Sequence, residues 1–283
     1  MRNRIAKYIY FSMMLILMGV MLLPGEISHS QIGVWEKVDE GLLVGTFPAV
    51  KSAGNADADD SKISVVKIDP HYYKFKLLCA SEKGHGPMTA KDWCKTYNLT
   101  AAINAGMYQA DNLTSVGYMK NFSHINNPRV GKDNTVFAFN PADSALPGAQ
   151  IIDRKCQNYS ALKTKYQSQF QGIRMIAEPR KNVWDERPDE WSVACLGTDS
   201  QGNILFIFSE TPFSVHQFID ILLDLPIGIS KAMYLDGGAV AQLYLSKGKV
   251  EIDKVGLYES VLTAGISRSV TTSIPNVIGI VKR

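Results

Sequence analysis

One short segment, residues 233–238, constrains the fold and chemistry of this chain more than any other. Its letters are MYLDGG, an apolar run that ends on a carboxylate and two glycines, and a second apolar segment follows at 242–245. The pattern predicts a buried strand that delivers Asp236 to a tight turn, where Gly237 and Gly238 let a ligand approach the backbone. Their N–H groups can form an anion-binding concavity. Alternatively, Asp236 accepts hydrogen bonds from the N–H groups of its own turn.

Elsewhere the chain alternates short apolar, β-branched runs with turn residues. Strands are predicted at 31–50, 63–68, 72–80, 101–103, 135–139, 149–152, 191–196, 204–209, 232–235 and 277–281, with a hairpin through 247–249. Helices are predicted at 89–98, 160–170 and 214–225, with Thr89 and Ser214 as caps. This content indicates an α+β fold, in which mixed or antiparallel sheets of many short strands carry a few packed helices. No composition break divides residues 31–283, which we expect to form one domain.

The first 30 residues have the features of an export signal. Arg2, Arg4 and Lys7 precede an apolar stretch at 11–23, and small residues follow at 28–30. The stretch is shorter than the roughly 20 residues of a membrane-spanning helix, which favours a cleaved signal over an uncleaved anchor. We therefore expect a periplasmic or extracellular protein without stable membrane insertion.

Charge and cysteine content argue against several classes of function. Residues 1–30 hold three basic residues and one acidic residue, so their removal lowers the net charge from +3 to +1. The remaining basic residues are scattered, which argues against a nucleic-acid partner. No CxxC pair and no histidine pair with metal-ligand spacing occurs, so neither a metal nor a cofactor is expected. The four cysteines form up to two disulfides or remain buried thiols.

Three further polar residues stand where site residues are often found. Asn104 ends an apolar strand two residues before Gly106, and its carboxamide can bind sugar hydroxyls or a phosphoryl oxygen, or cap its own turn. Arg174 lies between apolar neighbours and needs a partner or a ligand if it is buried, unless it lies on a strand edge. Glu210 follows a β-run at a strand exit, where it is either a site residue or a solvated loop acid.

In their order along the chain, these elements resemble the phosphodiester glycosidase family. The resemblance covers roughly residues 63–281 and rests on Asp69-Pro70, the 104–108 strand end, Val116-Gly117-Tyr118, Arg174-Met175-Ile176, the 197–202 hairpin, the Leu235–Gly238 block, Ser267-Arg268 and the 274–280 segment. It implies hydrolysis of the bond between a sugar's anomeric carbon and a phosphodiester oxygen, without a metal. The residues that it places in one pocket are Asn104, Gly106, Arg174, Glu210, Asp236, Gly237 and Gly238.

The resemblance also implies roles for these residues. Asp236 would act as nucleophile or as base for water, with Glu210 as its helper and Asn104 beside them. Arg174 and the amides of the glycines would bind the anionic substrate.

Two departures from the family pattern concern the substrate. Ala105 replaces the glycine that usually follows the asparagine, and residues 239–241 (Ala-Val-Ala) replace the usual serines or threonines. Because those hydroxyls would donate to a phosphate or a sugar, we expect a phosphodiester-linked envelope or extracellular glycan rather than a mannose 6-phosphate diester. The alternatives are a non-catalytic, exported glycan-binding protein with the same fold, and metal-dependent cleavage on the phosphorus side.

Overall fold

Two β-sheets that share one core form the centre of the molecule. The computed structural model describes residues 34–49, 61–257 and 272–283. The predicted export signal and the Ser267-Arg268 motif lie outside the described residues. Every strand pair named below is antiparallel, and the few helices are short, so the structure is the mostly-β form of the predicted α+β class.

The strands are numbered in chain order. They are β1 (Val34–Asp39), β2 (Leu42–Pro48), β3 (Lys62–Ile68), β4 (Tyr73–Cys79), β5 (Ala101–Asn104), β6 (Met119–Asn121), β7 (His124–Asn127), β8 (Thr135–Pro141), β9 (Ala149–Asp153), β10 (Tyr166–Ala177), β11 (Lys181–Asn182), β12 (Trp191–Asp199), β13 (Ile204–Phe213), β14 (Ile229–Gly237), β15 (Gln242–Lys247), β16 (Val250–Val255) and β17 (Asn276–Lys282). The helices are α1 (Ala80–Lys83), α2 (Ala90–Tyr97), α3 (Tyr159–Leu162) and α4 (Val215–Asp224).

The first sheet is twelve-stranded, with the order β1-β2-β3-β13-β12-β14-β10-β6-β7; β8 and β11 also pair with β10, and β9 pairs with β8. The second sheet has five strands in the order β16-β15-β5-β17-β4. Apolar side chains of both sheets, such as Phe75 from β4 and Phe206 from β13, meet in the core between them, and their ring centroids lie 6.3 Å apart.

Helices cover the outer faces of the two sheets. The α4 helix packs Phe218, Ile219 and Leu222 against the first sheet, and α2 packs Trp93 against the second. Their predicted caps are confirmed, because Thr89 Oγ1 accepts the Asp92 N–H and Ser214 Oγ accepts the Gln217 N–H. The order of layers is therefore α2, second sheet, first sheet, α4.

The predicted helix at 160–170 is wrong for most of its length. Only α3 and one 3-10 turn (Lys163–Lys165) are helical, and β10 begins at Tyr166. The polar letters of this segment belong to a buried strand rather than to the exposed face of a helix. Ser168 donates to Asn121 Oδ1, and the Gln169 amide donates to the Lys163 carbonyl. Internal hydrogen bonds of this kind remove the penalty of burying polar groups.

The described residues contain free thiols, no membrane-spanning helix and no cluster of metal ligands. All four cysteines are free thiols; Cys79, Cys94 and Cys195 are buried and Cys156 is exposed. Among the described residues, no helix has the length and the apolar character to cross a membrane. The same part of the chain contains no group of three or more His, Cys, Asp or Glu side chains placed to hold a metal ion.

Candidate active site

A β-bulge near the end of β14 sets the position of Asp236. Ala194 of β12 pairs with Asp236, but the next residue, Cys195, pairs with Tyr234, so Leu235 is the extra residue. A bulge re-aims the side chains beyond it. Ala194 faces the core between the sheets, and directly paired residues share a face. The bulge therefore turns Asp236 towards the space between the two sheets, at its edge.

The Asp236 carboxylate lies in an environment that disfavours its charge. It is partly buried, and burial raises its pKa to about 6, although the Gly237 N–H, which donates to Oδ1 at 2.9 Å, acts in the opposite direction. Within the described part of the chain, no cation and no second donor binds this carboxylate. A carboxyl group with a pKa close to neutrality can exchange a proton with a reacting group at physiological pH.

The two glycines after Asp236 are required by close packing and by backbone conformation. A Cβ on Gly237 would lie 2.1 Å from Cδ1 of Trp191 and 2.4 Å from the Tyr234 hydroxyl. Gly238 has a φ of +63°, in the left-handed region that favours glycine. The Gly237 N–H already donates to Asp236, so the local hydrogen bond considered from the sequence does form, while the other carboxylate oxygen faces no described donor.

Glu210 lies on the strand next but one to Asp236. Ser192 of β12 donates its hydroxyl to the Glu210 carbonyl at 2.5 Å, and Lys254 Nζ lies 3.3 Å from Glu210 Oε2. Phe208, two residues earlier on β13, pairs with Ala194 and faces the core between the sheets. Glu210 and Asp236 therefore share a face. Because Phe208 is the residue across from Asp236, the Cα atoms of Glu210 and Asp236 are separated by two strand spacings and a two-residue rise, about 12 Å in all.

Asn104 ends β5 with a buried and incompletely bonded carboxamide. The side chain is 2% exposed, its Oδ1 accepts the Gln242 N–H at 3.3 Å, and its buried Nδ2 has no partner among the residues that the structure describes. Buried donors without a partner are rare and call for an explanation such as a ligand or a water molecule. Gln242 follows the Gly238 turn closely in the chain, so the Asn104 carboxamide lies beside the segment that continues from Asp236.

Gly106 adopts a φ of +82°, and a Cβ there would lie 3.3 Å from the Gln171 carbonyl of β10. Ile173, two residues further along β10, pairs with Tyr234. The turn that carries Gly106 therefore packs against β10 close to the point where β10 pairs with the end of β14. The close approach is possible because glycine has no side chain.

Arg174 is held by a different partner from the one expected of a substrate-binding residue. Its Nε and Nη2 lie 2.7 and 2.6 Å from Asp153 Oδ2, and the Asp153 side chain is only 5% exposed. Arg174 lies among apolar neighbours and needs a partner for its charge, and that partner is the Asp153 carboxylate. The structure groups Asp236, Gly237, Gly238 and Glu210 at one edge of the sheets and directs the Arg174 guanidinium to Asp153.

Two residues near this edge were not singled out from the sequence. Ser192 bonds Glu210 and also accepts the Leu257 N–H at 2.8 Å, and Lys254 pairs with Glu210. Their local sequences resemble ordinary strand residues. Their importance comes from the packing of β16 against β12 and β13, which no short motif encodes.

The family model for phosphodiester glycosidases matches residues 97–281, and the chain therefore belongs to this family. The resemblance found from the sequence is confirmed.

Solved structures with the same fold have little sequence identity to the chain. The zebrafish N-acetylglucosamine-1-phosphodiester alpha-N-acetylglucosaminidase catalytic domain, auto-inhibited by its pro-peptide, is 14% identical, with a TM-score of 0.60 over 89% of this chain and 87% of that one. A hypothetical protein from Synechocystis is 15% identical, with a TM-score of 0.60 over 89% and 64%. A Burkholderia pseudomallei protein is 10% identical, with a TM-score of 0.54 over 78% and 74%. No curated protein matches the chain.

Proposed function

We propose that this protein is an exported hydrolase that cleaves the glycosidic bond between a sugar's anomeric carbon and a phosphodiester oxygen. The observation that carries the proposal is the partly buried Asp236 carboxylate, with a pKa of about 6, at the bulged end of β14 in a phosphodiester glycosidase fold. A group with this pKa is largely ionised at pH 7 and can accept a proton as the reaction proceeds.

The reaction needs little help for its leaving group. The bond from the anomeric carbon to oxygen breaks, and that oxygen leaves with the phosphate as a monoester, whose second pKa is about 6. Strong protonation of the leaving oxygen is therefore unnecessary, unlike in ordinary glycosidases. Asp236 either removes a proton from the attacking water or attacks the anomeric carbon itself, and Glu210 assists from β13. The unpartnered Nδ2 of Asn104 offers a donor to a substrate oxygen.

The proposed substrate is a phosphodiester-linked glycan of the cell envelope or the extracellular space. The export signal expected at residues 1–30 would deliver the protein there. Just beyond the Asp236 turn, Ala239 and Val240 are partly exposed, and neither offers a hydroxyl. These side chains suit an apolar or bulky neighbour of the scissile bond better than a densely hydrogen-bonded small sugar.

Turnover of a sugar-1-phosphodiester by the purified protein tests the proposal. We expect equal amounts of free reducing sugar and phosphomonoester from the wild-type protein. Asp236→Asn should lose roughly 100-fold or more of the rate, the lower part of the range for general acid–base catalysis. Its circular dichroism spectrum should be unchanged. Binding of the phosphodiester without product would instead support a non-catalytic glycan-binding protein.

A further inference from the structure

We propose that Lys254 binds the phosphate of the substrate. The family resemblance implied this role for Arg174. The inference rests on the proposed function and names the residue that recognises the anionic half of the substrate. Three observations support it: the face on which Lys254 lies, the contact of its strand with the Gly238 turn, and the charges around it.

Lys254 points from the second sheet towards the first. On β16 it pairs with Leu243 of β15, whose side chain lies in the core between the sheets. Ile252, two residues earlier on the same face, packs against that core as well. The Lys254 ammonium crosses the space between the sheets and meets Glu210 at 3.3 Å. It thus lies in the same inter-sheet space that Asp236 faces.

The end of β16 is fixed against the turn that follows Asp236. A Cβ on Gly256 would lie 2.3 Å from the Gly238 carbonyl oxygen and 2.7 Å from Ser192 Cβ. The Gly256 N–H donates to the Ala241 carbonyl at 2.8 Å. Lys254 precedes Gly256 by two residues, a rise of about 7 Å along a strand. The backbone of Lys254 is therefore held close to the Gly238 turn.

Of the cations that the described part of the chain contains, Lys254 is the one best placed near Asp236 for a phosphate. Arg174 is committed to the buried Asp153. An ammonium has three N–H donors; Glu210 takes one, and the Lys254 side chain is 38% exposed, so other donors can reach an incoming anion. Among the described residues, no cation binds the Asp236 carboxylate, whose one hydrogen bond comes from the Gly237 N–H. The carboxylate is thus not neutralised and can serve the anomeric carbon while the ammonium binds the phosphate.

An ordinary surface ion pair is the competing explanation for the Lys254–Glu210 contact. Such pairs contribute little to stability, so loss of the ammonium should leave folding intact, whereas loss of a hydrogen bond to a charged group should weaken substrate binding roughly 10- to 100-fold. Lys254→Met removes the charge, and Lys254→Arg keeps it. Lys249→Met is the matched control, because Lys249 is exposed in the turn of the same hairpin.

The experiment measures kcat and KM on a sugar-1-phosphodiester, together with competitive inhibition by glycerol phosphate and by the free sugar. We expect Lys254→Met to lower kcat/KM and glycerol phosphate affinity roughly 10- to 100-fold, with free-sugar inhibition unchanged. Lys254→Arg should recover most of the loss, and Lys249→Met should match the wild type. Wild-type kinetics in Lys254→Met, or an equal loss of both inhibitors, would overturn the assignment.

Calorimetric titration with glycerol phosphate separates this inference from the proposed function. One outcome is that neither the wild type nor any variant hydrolyses the phosphodiester, while the wild type binds glycerol phosphate and Lys254→Met does not. In that case the phosphate site stands and the hydrolase proposal fails. If the wild type itself does not bind glycerol phosphate, the assignment of Lys254 is overturned whatever the turnover.

Discussion

Replacing Asp236 by asparagine is expected to stabilise the fold at neutral pH while it abolishes hydrolysis. Burial raises the pKa of Asp236 to about 6, from the ordinary aspartate value of about 4. The folded protein therefore holds this proton more tightly than the unfolded chain. The stabilisation is fully present below about pH 4 and is lost as the pH rises through about 6. Above pH 6, the wild-type protein carries an ionised group in a site that disfavours it.

The pKa rise sets the size of the effect. It corresponds to about 3 kcal/mol if the site were dry, and because Asp236 is partly exposed, solvent reduces this to about 1–3 kcal/mol. An asparagine has nearly the same shape, never ionises, and can still accept the Gly237 N–H. Relative to the wild type, Asp236→Asn should therefore gain about 1–3 kcal/mol between pH 4 and pH 7.

Urea unfolding at pH 4, 5, 6 and 7 measures this difference directly. Asp189→Asn is the matched control, because it makes the same chemical change at an exposed position. The reasoning is that burial disfavours the ionised form of Asp236. It would be refuted by a gain for Asp236→Asn that is constant across the four pH values, or by a loss of stability at pH 7.

Three other outcomes follow from the same structure. The hydrolysis rate should rise tenfold per pH unit below about pH 6 and level off above it, because Asp236 acts deprotonated; a rate that falls through this range would make it an acid. Gly237→Ala should lose about 1–3 kcal/mol or more of unfolding free energy through the clash with Trp191, whereas Gly86→Ala, with nothing within 4 Å of its Cβ, should be neutral in the same urea titration. A thiol reagent should modify Cys156 alone in the native protein and all four cysteines after unfolding without a reductant; a lower count after unfolding would indicate disulfides.

Local patterns in the sequence predicted the elements whose cause is local. The helix that starts after Ser214 has its apolar face at helical spacing and its own cap, and β14 ends at Gly237 because Gly238 adopts a left-handed conformation. Both are confirmed because the residues that determine them lie within a few positions of one another. The 160–170 segment failed for the opposite reason: its polar side chains find partners on β6 and in preceding turns, which the segment itself does not reveal.

The site could be predicted by residue type more readily than by contact. The apolar neighbours of Arg174 indicated that it needs a partner if it is buried, but the choice of Asp153 depends on where the pairing of β9 with β8 places that carboxylate. The bulge at Leu235 turns Asp236 towards the core side, and a one-residue shift of this kind leaves no local signature. Lys254 and Glu210 come from different sheets, so only the packing of the two sheets brings them together.

Hydrolysis of a sugar-1-phosphodiester in water enriched with oxygen-18 tests the central claim most directly. Attack at the anomeric carbon leaves the bridging oxygen on the phosphate, so the phosphomonoester product should contain no label. The phosphate is the better reporter because the anomeric hydroxyl of the free sugar exchanges with water. A labelled phosphomonoester, formed either as the alkyl phosphate with free sugar or as the sugar 1-phosphate with free alcohol, would show attack at phosphorus and would contradict the role proposed for Asp236.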